Sequence, residues 1–164
     1  MTAESRSEFV ARYGGIYEHS SWVAERAAPE LAECDDPERI AEVMAGCVDD
    51  ASDDLKLALI RAHPDLAGRA RVAGGLTSDS ASEQASAGLD RCSAEQYARF
   101  TTLNRAYREK FGFPFVMAVR GSSVEDILAA FETRLTNDAD AEFETALAEI
   151  HKIARQRLLA RDGR

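Results

Sequence analysis

Positive charge, cysteine and long apolar runs are all scarce in this chain of 164 residues. Lys and Arg number 20 against 29 Asp and Glu, giving a formal net charge of -9 at pH 7 and an isoelectric point near 4.9. Nucleic acid and anionic membrane surfaces both need a positive field, so neither is an expected partner. Cys34, Cys47 and Cys92 form no C-x-x-C pair, which removes the usual zinc and redox spacings and points to a reducing compartment. His19, His63 and His151 show no H-E-x-x-H or facial-triad spacing, and P-loop, G-x-G-x-x-G and G-x-S-x-G motifs are missing. No metal and no cofactor are expected. No stretch approaches the roughly eighteen apolar residues of a membrane span, and Met1-Thr2-Ala3-Glu4-Ser5 lacks the basic and apolar regions of a leader. Arg161-Asp162-Gly163-Arg164 is not a peroxisomal address. The expectation is a cytoplasmic protein with a small molecule or a protein as its partner.

What is present is a hydrophobic content of 45%, enough to bury a core without metal or disulfide support. A single domain over residues 1–164 is expected, since no linker, repeat or step in composition divides the chain. Apolar residues recur at helical spacing almost throughout, so the fold class is all-α: a bundle of about seven to nine helices. Asp36-Pro37 starts a helix carrying Ile40, Val43, Met44 and Cys47, and Ser52 starts another carrying Leu55, Leu59 and Ile60. Ser93 with Gln96, and Ser122 with Glu125, have capping-box spacing. The first box opens a helix through Tyr97, Phe100, Leu103, Tyr107 and Phe111 that Gly112 ends. The second opens one through Ile127, Leu128, Phe131 and Leu135 that ends near Asn137. A last helix spans about 138–160, with Phe143, Leu147, Ile150 and Ala154 inward. Gly14-Gly15 and His19-Ser20-Ser21 interrupt the N-terminal segment. Phe113 to Val119 is apolar, contains Pro114 and lies between two helices, so it is expected to be a buried extended connector.

Chemistry concentrates around His63-Pro64-Asp65-Leu66-Ala67-Gly68-Arg69 and, some twenty residues on, Ser80 to Leu89. His63 closes the helix that starts at Ser52, because Pro64 pushes its predecessor out of the α region, and it falls on the face of Leu55 and Leu59. A histidine there acts as a proton carrier near neutral pH or caps the helix end. Ser80 and Glu83 have capping-box spacing, which would set Gln84 and the small Ala85, Ala87 and Gly88 beside free N–H donors suited to a carbonyl or carboxylate. The connector backbone needs partners, from a ureide or imide ligand or from the protein itself. Arg134 and Arg157 fall on apolar stripes, where each pairs with a surface carboxylate or binds an anionic substrate. Asp65 and Arg69 suit local turn contacts. The Val72 to Asp79 stretch with Gly74-Gly75 suits a loop that covers a site.

Taken in order, HPDLAGR, S-x-x-E-Q-x-x-A-G-L and LNRAYREKFGFPF resemble the OHCU decarboxylases, enzymes of uric acid breakdown, over most of the chain from Glu18-His19-Ser20 onward. The resemblance implies an all-helical, commonly dimeric, cofactor-free enzyme. Its substrate would be 2-oxo-4-hydroxy-4-carboxy-5-ureidoimidazoline and its products (S)-allantoin and carbon dioxide. It places the catalytic histidine at His63 and its acidic partner at Glu83. Substrate contacts fall on Pro64, on Ser80, Ala81, Ser82, Glu83 and Gln84, and on Phe115, Val116, Met117, Ala118 and Val119. The family's C-terminal arginine falls on Arg157, with Arg134 as second choice. Two other readings stand beside this one: a catalytically silent helical interaction module, and a decarboxylase or hydrolase of a related ureide.

Overall fold

Short polar side chains set where helices begin in the computed structural model, which describes residues 3–31, 33–67 and 77–162. In chain order the helices are α1 (Ala3–Tyr13), α2 (Trp22–Ala27), α3 (Pro37–Asp49), α4 (Asp53–Arg61), α5 (Ser78–Ser86), α6 (Ala94–Phe111), α7 (Val124–Arg134) and α8 (Ala139–Asp162). Short 3-10 turns occupy Ala28–Glu30 and Leu89–Arg91. No strand occurs among the described residues, in line with the all-α expectation. Among them, too, no helix is long and apolar enough to cross a membrane.

The expected caps hold for three helices. Asp36 accepts from the Glu38 amide with Pro37 at the first position of α3, and Ser52 accepts from the Leu55 amide at the head of α4. Ser93 and Gln96 form a reciprocal capping box on α6, and Gly112 ends that helix with φ of 77°, a conformation only glycine adopts cheaply. Elsewhere the register differs. Ser123 with Asp126, not Ser122 with Glu125, forms the box on α7, because the Ser122 amide is already spent on the Val119 carbonyl in a turn through Gly121. α7 ends at Arg134 rather than near Asn137. Thr136 and Asn137 donate to Thr133 and Arg134 in tighter three-residue turns, which an apolar period does not separate from a helix. α5 is capped by Thr77, whose hydroxyl accepts from the Ser80 amide, so the expected Ser80–Glu83 box is corrected: both residues lie inside the helix.

The described residues fall into two compact units, Met1–Ala62 with Ile150–Arg164, and His63–Glu149. In the first, Ile16, Tyr17, Val23, Leu31, Ile40, Met44, Val48, Leu59 and Ile60 are buried, whereas Cys47 is only half-buried. The second is built on aromatic rings. Tyr107 meets Phe113, Phe115 and Phe131 edge-on at 5.8, 5.4 and 5.8 Å between centroids, and Phe115 stacks on Phe131 at 3.9 Å. Burying each such ring contributes roughly 1.5–3 kcal/mol. Phe113 to Val119 carries neither helix nor strand and joins α6 to α7 as expected, with Phe113, Phe115, Val116 and Val119 buried.

Candidate active site

α4 stops at Arg61, with the Ala62 amide donating to the Ala58 carbonyl, and Pro64 denies the chain another turn. His63 therefore sits just beyond the helix rather than as its last residue, and it is 6% exposed. The turn from Asp65 to Ala67 is held from two helices. Gln84 of α5 accepts from the Ala67 amide at 3.1 Å through Oε1 and donates to the Asp65 carbonyl at 3.4 Å through Nε2. Asn104 of α6 donates to the Leu66 carbonyl at 3.1 Å. Arg108, one turn further along α6, donates to Asp65 Oδ1 from Nε and Nη2 at 3.1 and 2.9 Å. Asp65 thus pairs across 43 positions of sequence instead of closing the local turn expected of it. Ala67 carries φ of 52°, a left-handed conformation that costs a non-glycine residue about 1–2 kcal/mol and persists because the surrounding bonds fix it.

The second expected segment presents Ser80, Glu83 and Gln84 inward at 6%, 7% and 3% exposure, the i, i+3, i+4 face of α5. Ala81 and Ser82 lie on the exposed face. His63 and Glu83 are thus buried polar residues of one unit, with Gln84 joining their two segments. Gly68, Arg69 and residues 70–76, with most of the expected covering loop, lie outside the described residues.

The connector is the third segment, and protein groups meet part of its backbone demand. The Val116 carbonyl accepts from Arg134 Nη1 at 2.6 Å, and the Ala118 amide donates to Glu149 at 3.3 Å. Met117 and Ala118 are half-buried. Arg134 also lies 4.3 Å over the Phe115 ring and grips both oxygens of Glu142, from Nε at 3.0 and 3.2 Å and from Nη2 at 2.9 Å. Its partner is a fully buried carboxylate, not a surface one. The Tyr107 hydroxyl and the Asn137 amide donate to Glu142 as well. Burial alone would push the Glu142 carboxyl up, but hydrogen bonds from Arg134 and Tyr107, the Arg134 charge and Asn137 outweigh it and hold it below the ordinary carboxylate value. The Tyr107 hydroxyl is pushed well above its ordinary value, first by burial and then by its bond to Glu142.

Arg157 belongs to the first unit, where Nη2 donates to Glu18 at 2.8 Å and Nη1 to the Ile16 carbonyl at 3.2 Å. Both members of that pair are buried, so Arg157 too has a buried rather than a surface carboxylate.

Asn104, Glu142 and Glu18 escaped the sequence reading. A signal existed for the first: Asn104 stands four residues after Phe100 and three before Tyr107, on the stripe both rings define. For the carboxylates the signal was indirect, since an arginine on an apolar stripe requires a buried acceptor.

Residues 2–159 match the family model for OHCU decarboxylase. The chain belongs to the OHCU decarboxylase family. It is 47% identical over 153 residues to 2-oxo-4-hydroxy-4-carboxy-5-ureidoimidazoline decarboxylase of Haloferax volcanii, covering 93% of this chain and 88% of that one. The enzyme of the same description from Halalkalicoccus jeotgali is 45% identical, over 99% of this chain and 92% of its own. Among solved structures, that of an (S)-allantoin synthase superposes with a TM-score of 0.75 at 35% identity, covering 94% of this chain and 50% of that one. The likeness to that synthase is therefore to half of its length. For the OHCU decarboxylase family, the interest of the present geometry is that α6 braces two of the segments expected to meet substrate: Asn104 and Arg108 hold the residues after His63, and Tyr107 packs on the connector.

Proposed function

We propose that this family member decarboxylates 2-oxo-4-hydroxy-4-carboxy-5-ureidoimidazoline to (S)-allantoin and carbon dioxide, with His63 as general acid–base and Glu83 as its partner. The observation that carries the residue assignment is the Gln84 bridge: one buried amide holds the turn just after His63 while its neighbour Glu83 is itself buried. The substrate comes from the names of the two haloarchaeal relatives.

In this reaction the bond from the hydroxyl-bearing ring carbon to the carboxylate breaks. Its electron pair moves toward the neighbouring C=N, whose nitrogen takes up the charge. The nitrogen takes a proton from the solvent, the hydroxyl gives up its proton as a carbonyl forms, and the neighbouring carbon gains one on a single face, so that overall a proton replaces carbon dioxide. His63 takes the hydroxyl proton and delivers the stereochemical one, a role worth about 10²–10⁴ in rate. The connector Phe115–Val119 lines the ureide, and Pro64, Ser80, Ala81, Ser82 and Gln84 flank it. Arg134, committed to Glu142 and Val116, holds the connector. No cofactor enters the proposal, and a homodimer is its expected assembly.

The test is to generate the unstable substrate from urate in situ and follow its decay by circular dichroism with and without the protein. Faster appearance of the (S)-allantoin signal, lost in His63→Ala, supports the reading. No acceleration by folded protein turns it toward another ureide or a silent interaction module.

A further inference from the structure

We infer that Asn104 is a positioning residue for His63, acting through the carbonyl of Leu66. Asn104 is 8% exposed and sits on the inward stripe of α6 between Phe100 and Tyr107, each fully buried. Its Nδ2 reaches the Leu66 carbonyl at 3.1 Å, while its Oδ1 is buried with no hydrogen-bond partner among the described residues. Such an amide is a poor choice for stability. A leucine of similar size would remove an acceptor that no described residue meets and add apolar contact with the rings beside it.

The donor is spent where it matters for the turn. Gln84 fixes the Asp65 carbonyl and the Ala67 amide, and Asn104 fixes the carbonyl between them. With the left-handed Ala67 at one end and the fixed ring of Pro64 at the other, little backbone freedom is left between Leu66 and His63. Releasing the Leu66 carbonyl lets that turn relax toward an ordinary conformation and swings the imidazole with it. Orientation errors of this size in a proton-transferring group lower the rate of chemistry and leave substrate affinity largely intact.

The inference rests on the proposed role of His63 for its kinetic arm and stands apart from it in its spectroscopic arm. Asn104→Leu and Asn104→Ala both delete the donor, one filling its space and one leaving it empty. In each, kcat is expected to fall about ten-fold or more with KM within about two-fold. The ring ¹H–¹⁵N resonances of His63 are expected to shift or broaden at fixed pH, while those of His19 and His151 stay in place. Unchanged His63 resonances in either folded variant overturn the inference, as does a wild-type kcat. Failure of both variants to fold overturns it too, since Asn104 would then serve the fold alone. If the wild type does not accelerate the reaction, the functional proposal fails while the resonances still decide the positioning role.

Discussion

Arg134 and Glu142 face each other with three guanidinium-to-carboxylate hydrogen bonds of 2.9 to 3.2 Å, and the arginine's remaining reach goes to the Val116 carbonyl at 2.6 Å. A buried ion pair therefore ties the end of α7 to the start of α8 and fixes the connector between α6 and α7. Removing one partner leaves the other charge buried. Arg134→Met is expected to lower unfolding stability by about 3–5 kcal/mol, read as a lower urea midpoint with an unchanged slope.

The same pair sets an acid limit on stability. Because Glu142 is held below its unfolded carboxyl value, its contribution is fully present above the ordinary carboxylate range and is lost as pH falls through the depressed folded value. Stability measured from pH 6 down to about pH 3 should therefore decline less steeply in Glu142→Gln, although that variant starts lower. An equal slope in both proteins would remove Glu142 from the account.

Arg157 and Glu18 provide a parallel case in the other unit. Arg157→Met is expected to cost about 3–5 kcal/mol, and adding Glu18→Gln should restore part of the loss, because the second change removes the stranded charge. Chemical denaturation of the two single variants and the double variant checks this. Strictly additive losses would mean that the two side chains are not coupled.

The corrected start of α5 is testable. Thr77→Ala should destabilise by about 1 kcal/mol, the usual worth of an N-cap hydroxyl. A thermal melt with no shift would contradict the cap.

His63→Asn is expected to remove the catalysed rate while leaving the far-ultraviolet circular dichroism and the unfolding midpoint close to wild type. The decay of substrate generated from urate, compared with the uncatalysed decay, is the measurement. A rate equal to wild type would exclude His63 from proton transfer.

Several of these features were legible in the chain. Asp36-Pro37, Ser52 and the Ser93/Gln96 pair mark helix starts because their side chains answer local backbone demand within three residues. Pro114 within an apolar run marked the connector for an equally local reason. Where two hydroxyls compete for one cap, as Ser122 and Ser123 do, the local signal is degenerate and a turn through Gly121 decides. His63 was readable because Pro64 stops the helix before it, whereas Glu83 and Gln84, expected at a helix start, lie inside α5 on its buried face.

By itself the sequence determined the all-helical class, the starts of α3, α4 and α6, the non-helical connector and family membership, since period, caps and motifs are properties of neighbouring residues. Tertiary structure decided the partners. Arg134 with Glu142, Arg157 with Glu18, Arg108 with Asp65 and Asn104 with Leu66 are matched by distance in space. A buried charge or amide takes whichever acceptor folding brings within about 3 Å, and no local spacing encodes that choice.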